Sequence, residues 1–300
     1  AEAAAERVYA ASPHALIDIA GYTDGGLMEL FAYKSAPVQI EWLGYLSTTG
    51  LPEMDYFLAD ETTAEDVNQF FCEEVVRLDC CHLNYYIPEY DVVTDVPPVL
   101  KNGHITFGSF NNIAKINDSV LDLWAEILLN LDKSIIRLQA KNTDKPFVQS
   151  RLFKRFENRG INKNRVLIVP PVGGRSYLQC YRDIDICLDT FPYTGGKITL
   201  DTIFMGVPLV TLKGGSHFSR NTASILNTIS HPELIAKDHD EYAKIAVGLG
   251  EDTEKLISYR KILRKSYLAK FRQNPSKIAK VLINTVTRKV DLIKREQDIT

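Results

Sequence analysis

Short apolar runs alternate with longer stretches of helical period along most of this chain. Apolar side chains, many of them β-branched or aromatic, gather in ALIDIAG (15–21), VQIEWLG (38–44), HITFGSF (104–110), SIIRLQA (134–140), RVLIVPP (165–171), DICLDTF (185–191) and PLVTL (208–212). Each run is short and bounded by turn formers, which predicts a strand. SVLDLWAEILLNL, PFVQSRLFKRFENRG, LDTIFMGV and the last fifth of the chain instead repeat their apolar positions at helical spacing, which predicts helices. Strand, helix and strand follow one another at least four times after residue 100, the pattern of an α/β protein with mostly parallel sheets.

The segment YYIPEYDVVTDVPPVLKNG interrupts this order, being polar, proline-rich and without a sustained period. It reads as a linker between two lobes. The expected division is a first lobe over 1–95, a second over 96–285 and a charged C-terminal tail over 286–300. The first lobe shows too few strands for a complete sheet. The chain also opens at Ala1 without a methionine, directly on the helix-like AEAAAERVYAAS, so it is expected to be a piece of a longer protein with its first lobe N-terminally truncated. No internal repeat and no low-complexity tract is visible.

Composition narrows the classes. With 300 residues and 45% hydrophobic content the chain can bury a sizeable core. A formal net charge of −3 supplies no basic field, and no local basic patch replaces it, so nucleic acid is not an expected partner. The five cysteines, at 72, 80, 81, 180 and 187, form no CxxC pair, which suggests neither a disulfide framework nor a zinc site. A reducing cytoplasm is the expected compartment. No apolar run has the length of a membrane span.

Two loops occupy the positions where doubly wound sheets bind ligands, just beyond the carboxyl ends of strands. In FGSFNNIAKIND (107–118) a strand gives way to a loop holding Asn112 and Lys115 and then to a helix capped by Asn117 or Asp118. A lone lysine is usually a solvated one; here the ammonium can enter the crevice. In DTFPYTGGKITLDTIFMGVP (189–208) a strand feeds the pair Gly195-Gly196, and a helix follows from about Thr199. Glycines admit close backbone approach, and the amides at a helix N-terminus suit a phosphate. Asp201, on the first turn, reads either as an acceptor for sugar hydroxyls or as an acid suited to the helix dipole.

APVQIEWLGYLSTTG (36–50), MDYFLAD (54–60), FGSFNNIAKI (107–116), DICLDTFPYTGG (185–196), MGVPLVTLKG (205–214), HFSR (217–220) and ELIAKDHDEY (233–242), in that order, resemble the catalytic region of the O-linked N-acetylglucosamine transferases and their SPINDLY-like relatives, glycosyltransferase family 41. The resemblance runs from about residue 15 to 265. It implies a GT-B fold of two Rossmann-like lobes. It also implies inverting, metal-independent transfer of a sugar, most readily N-acetylglucosamine from UDP-N-acetylglucosamine, to serine or threonine hydroxyls of a protein acceptor. No cofactor beyond the sugar nucleotide is implied, and upstream tetratricopeptide repeats are a family habit. By the same resemblance Lys115 is the catalytic cation on the donor diphosphate, with Asn112, Gly195, Gly196, Lys197, Ile198 and Thr199 around it. Asp201 is matched to the ribose-binding acid, Tyr177 to a residue facing the base, and Arg175 to a basic position in a loosely aligned segment.

The sequence departs from the family at Lys197-Ile198, where relatives show two threonines that help hold the diphosphate. Three other readings stay open: a GDP-fucose-using protein O-fucosyltransferase, a non-catalytic binding subunit, and a fragment inactive because its first lobe is incomplete. For the general base, His82 in DCCHLNYY is the candidate, with a structural histidine as its alternative, and Tyr22 in AGYTDGG is assigned to the acceptor side. His217 reads as a loop-packing residue. The pairs Asp183/Asp185 and Asp238/Asp240 imitate a DxD metal motif but fall at a strand entry and a helix start, so no metal site is expected there.

Overall fold

The computed structural model describes residues 1–66, 68–85, 95–174 and 176–299. The chain divides into two compact units: Ala1–Asn84 with Gly215–Phe218 and Phe271–Thr300, and Tyr85–Gly214 with Ser219–Lys270.

The first unit is built on a four-stranded parallel sheet of β1 (Ala15–Asp18), β2 (Val38–Glu41), β3 (Tyr56–Asp60) and β4 (Glu74–Leu78), in that order. Alternation along a strand sends successive side chains to opposite faces. Val38, Ile40, Tyr56 and Leu58 therefore share one face and form a core with Leu78 and Ile278, whereas Phe57 and Ala59 turn to the other and pack with Ala64. The first of these faces is covered by the long helix Asn274–Ile299, which sets Ile278, Val281, Leu282, Val286 and Val290 against it. Those positions recur at three and four residues, so the charged residues between them fall on the outer side.

This corrects the expected domain division. Residues 286–300 are no separate tail but the last turns of a helix docked on the first sheet, and the second unit ends at Lys270, short of the expected 285. The mixed charges of that stretch masked an apolar stripe. Residues 86–94 of the expected linker lie outside the described residues, and its end forms a short helix, Val99–Asn102.

The second unit carries a six-stranded sheet of β5 (Ile105–Ser109), β6 (Ser134–Leu138), β7 (Val166–Ile168), β8 (Ile186–Leu188), β9 (Leu209–Leu212) and β10 (Ile235–Ala236). Its order is β10-β9-β8-β5-β6-β7, and every pairing is parallel. Read from the other edge, the first three strands run outward in one direction and the next three in the other, so the chain reverses between β5 and β8. That is the doubly wound order, in which the crevice beyond the carboxyl ends of the two central strands is the ligand site. Helices Asp118–Asn130, Pro146–Asn158, Lys197–Phe204, Asn221–Thr228 and His239–Glu251 connect and flank the strands. Asn117 caps the first of these by accepting from Val120 N at 3.0 Å, and Asp238 caps the last by accepting from Glu241 N at 2.8 Å. Asp183 pairs with Arg137, and Asp185 accepts the backbone amides of Val99 and Thr106 at 2.9 and 2.8 Å, so these acids have structural partners in different directions.

Candidate functional site

The two loops singled out by their composition leave β5 and β8, the strands that flank the switch point. After β5 the chain buries Phe110 and Asn111 and then turns sharply, because the Asn112 side chain accepts from Ala114 N at 3.1 Å and starts a single tight helical turn, Ile113–Lys115. That turn aims Lys115 back across the crevice. Its ammonium donates to the Thr194 carbonyl at 2.9 Å and stands 4.1 Å from the centre of the Tyr193 ring. Asn117 adds a second stitch, donating to the Phe191 carbonyl at 2.7 Å.

The third stitch is the deepest. Asp189, just past β8 and fully buried, accepts from Asn111 Nδ2 at 3.1 Å, from Thr190 N at 2.9 Å and from Gly195 N at 2.9 Å on one oxygen, and from Thr211 Oγ1 at 2.8 Å on the other. Burial pushes its carboxyl up, while hydrogen bonds from Thr222, Thr211 and Gly195 and the charge of Lys115 pull it back. The same burial pushes the Lys115 ammonium down, against the attraction of Asp189. An anion arriving beside Lys115 would favour the charged amine again.

Gly195 has a steric reason to be glycine. A Cβ there would stand 2.4 Å from Thr199 Oγ1 and 3.2 Å from Asp189 Oδ1. Both neighbours are fully buried, and Thr199 is tied to Thr222 at 2.9 Å, while Thr222 also reaches the Gly195 carbonyl at 3.2 Å. Gly196 is the N-cap of the helix Lys197–Phe204. The first amides of that helix have no partner within it and carry the positive end of its dipole. Cation, glycine turn and helix start thus belong to one crevice wall, an arrangement suited to an anion with several oxygens.

Beside it lies an aromatic slot. Asp201, fully buried on the same helix, accepts from Tyr85 and from Lys197 Nζ, the latter at 2.7 Å. The Lys197 ammonium stands 5.3 Å from the Tyr85 ring centre and 5.6 Å from that of Tyr177. Tyr177 in turn meets Tyr181 hydroxyl to hydroxyl at 2.7 Å and presents its ring to Phe110. Ile198 is half-buried, its carbonyl accepting from Thr202 Oγ1 at 2.7 Å. Lys115, Gly195, Gly196, Lys197, Ile198, Thr199, Asp201 and Tyr177 are therefore gathered within the second unit. Arg175 lies outside the described residues. Asn112 is exposed and serves the turn, and Asn111 is the asparagine that enters the network.

The candidates of the first unit fall elsewhere. Tyr22, 57% exposed beyond the end of β1, donates to the Thr49 carbonyl at 2.7 Å and meets Tyr45 edge to face. His82 is 1% exposed, with Nδ1 2.6 Å from Asp60 Oδ2 and its ring against that of His217. Deep burial removes it from direct contact with a substrate hydroxyl in this arrangement, so the reading of His82 as general base gives way to a structural one. Close by, Glu41 pairs in register with Asp18 across β1 and β2. Burial, then Asp18 and Glu73, pushes its carboxyl up to about 10.

Asn111, Asp189, Tyr85, Tyr193 and Thr222 were not legible as site residues. Asp189 had a local signal, an acid following a wholly apolar strand. Tyr85 had none, because its partner Asp201 is 116 positions away.

Comparison with known proteins agrees with this fold. The family described as glycosyl transferase family 41 matches residues 1–90 and 87–275. The chain is 38% identical over 252 residues to the probable UDP-N-acetylglucosamine–peptide N-acetylglucosaminyltransferase SPINDLY of Arabidopsis thaliana, covering 83% of this chain and 28% of that protein. It is 38% identical over 269 residues to the corresponding protein of Petunia hybrida, covering 86% of this chain and 29% of that one. Among solved structures, a mutant of the Thermobaculum terrenum O-GlcNAc transferase matches with a TM-score of 0.89 at 33% identity, over 96% of this chain and 55% of that one. Anabaena HepE, solved in complex with UDP, matches with a TM-score of 0.64 at 12% identity over 94% of this chain and 81% of that one, a likeness of fold alone. The chain spans less than a third of the length of the curated SPINDLY relatives. With two parallel-sheet lobes of GT-B type and a family match over most of its length, the chain belongs to glycosyl transferase family 41.

Proposed function

We propose that this chain is the catalytic part of a protein O-glycosyltransferase that holds the diphosphate of a nucleotide-sugar donor between Lys115 and the glycine turn at Gly195-Gly196. The observation that carries the reading is the Lys115 ammonium at 2.9 Å from the Thr194 carbonyl, two residues before the N-cap of the helix Lys197–Phe204. As the sugar departs, negative charge grows on the bridging and β-phosphate oxygens. A preorganised ammonium and the first helix amides then stabilise that charge more than they stabilise the bound donor. In this reading the transfer inverts the anomeric carbon, no divalent ion takes part, and the acceptor is a serine or threonine hydroxyl of a protein. The names of the relatives favour UDP-N-acetylglucosamine as donor. None of the five cysteines is joined in a disulfide, in keeping with a reducing cytoplasm, and no helix among the described residues is long and apolar enough to cross a membrane.

Asp201 is the acid we assign to the ribose hydroxyls. The side chain is fully buried behind its partners Tyr85 and Lys197, so one of them must move aside for a ribose hydroxyl to reach it. That observation favours a second reading, in which the chain binds a nucleotide and transfers nothing, with Lys197 standing in the slot.

Calorimetric titration with UDP and with GDP, followed by transfer from UDP-N-acetylglucosamine to a pool of proteins, separates the possibilities. UDP binding with transfer supports the enzyme. GDP binding in preference to UDP moves the donor to the fucose class. Binding without transfer by the full-length protein supports the second reading, and binding of neither nucleotide overturns the proposed site.

A further inference from the structure

A different cluster lies in the first unit, where the proposed donor chemistry has no use for it. Asp60 ends β3, and Cys81 and His82 follow the end of the neighbouring β4. One donor atom from each of these three residues lies within 4.8 Å of the other two, and all three residues are buried. The loops that carry them are fixed, because Asp60 Oδ1 accepts from Thr62 N at 3.1 Å and Thr63 N at 3.0 Å, and Oδ2 from His82 N at 3.0 Å. His82 Nε2 is buried with no hydrogen-bond partner among the described residues. A second imidazole, His217, is 2% exposed and stands 5.1 Å from the His82 ring, with Phe57 closing its other side.

The Asp60 carboxylate is held by these amides and by His82 Nδ1 at 2.6 Å, whereas the buried His82 Nε2 is left over, and an unengaged buried imidazole nitrogen is costly. A mixed sulfur, nitrogen and oxygen set suits a borderline ion such as zinc, and it offers too few oxygens for calcium or magnesium. Around tetrahedral zinc, with bonds of about 2.0–2.3 Å, donor atoms stand roughly 3.3–3.8 Å apart. The 2.6 Å contact between His82 Nδ1 and Asp60 Oδ2 fixes the ring against the carboxylate, and ligand atoms that stand as much as 4.8 Å apart would draw closer on binding.

We propose that Asp60, Cys81 and His82 hold one divalent transition-metal ion of the zinc class, with His217 facing the fourth position. Binding releases the thiol proton of Cys81, and the ion ties the end of β3 to the segment after β4. Its role is structural, and the proposal stands or falls independently of the donor site.

The test uses the whole chain, stripped with a chelator and titrated with cobalt(II), whose spectrum reports ligand type. The expected result is tetrahedral d–d absorption and a thiolate-to-cobalt charge-transfer band that saturate at one equivalent and are displaced by zinc. Cys81→Ser should abolish the charge-transfer band. Asp60→Asn and His82→Gln should weaken the ion's Kd at least tenfold. Cys72→Ser, at an exposed cysteine elsewhere in the unit, should leave the spectrum unchanged. A wild-type spectrum without a thiolate band, or one showing only six-coordinate oxygen ligation, overturns the proposal however the variants fold. A thiolate band that survives Cys81→Ser overturns it as well.

Discussion

Replacing Lys115 by methionine deletes one charge while keeping an unbranched stem of nearly the same length. The ammonium is half-buried against the Thr194 carbonyl and the Tyr193 ring, so water would screen only part of its attraction for an anion in the crevice. Two opposite unit charges about 4 Å apart attract by about 4 kcal/mol at an effective dielectric of about 20. If most of that attraction is realised only as the leaving group charges, Lys115→Met should lower kcat/KM about a thousandfold and weaken the donor's Kd by less than about tenfold. Asp189 keeps its hydrogen bonds from Asn111, Gly195 and Thr211, so the variant should fold, with a modest fall in Tm. Because burial pushes the Lys115 ammonium down, wild-type activity should fall with rising pH before the ordinary lysine value of 10.5 is reached, and the amine should lose its charge there. Single-turnover transfer measured beside calorimetric donor binding reads both quantities. A folded Lys115→Met protein that keeps kcat/KM within tenfold of wild type would refute the electrostatic argument.

Gly195→Ala should lower Tm and weaken nucleotide binding, since its Cβ would meet Thr199 Oγ1 at 2.4 Å, a clash of the kind that costs about 1–3 kcal/mol. Adding Thr199→Ala removes the struck atom, and the double variant should regain part of the Tm by calorimetry. Lys197→Ala should tighten nucleotide binding by up to about fivefold in titration calorimetry, because the Lys197 side chain is 63% exposed and its ion pair with Asp201 is worth at most about 1 kcal/mol; weaker binding would instead mean that Lys197 contacts the donor itself. Glu41 titrates near 4.5 when unfolded and about 10 when folded, so the folded state binds the extra proton and stability must fall as pH rises between those values. Glu41→Gln should flatten that slope, gaining at most about 3 kcal/mol over wild type at pH 7 in denaturant titrations; parallel pH profiles for the two proteins would contradict the raised carboxyl.

Local patterning carried much of this protein. The β-rich runs at 104–110, 134–140, 185–191 and 208–212 are strands, and the helices after Asn117 and Gly196 begin where their caps stand. Lys115 and the glycine pair stood out because each lies just past an apolar strand, and strand ends are where a doubly wound sheet opens. Strands β3 and β4 escaped the reading of periods. β3 is buried along its whole length and shows no alternation, and β4, in EVVRL, is short and bounded by charges.

The alternation of strand and helix was already written in the order of residues, because hydrophobic period and capping act over a few residues and every residue's neighbours in sequence are known in advance. Which distant groups come together was set by the way the chain folds back on itself: Asn111 with Asp189, Tyr85 with Asp201, Asp60 with His82, and the C-terminal helix with the first sheet. A buried polar group must find a partner wherever the chain folds back to it, and that distance in sequence leaves no local mark.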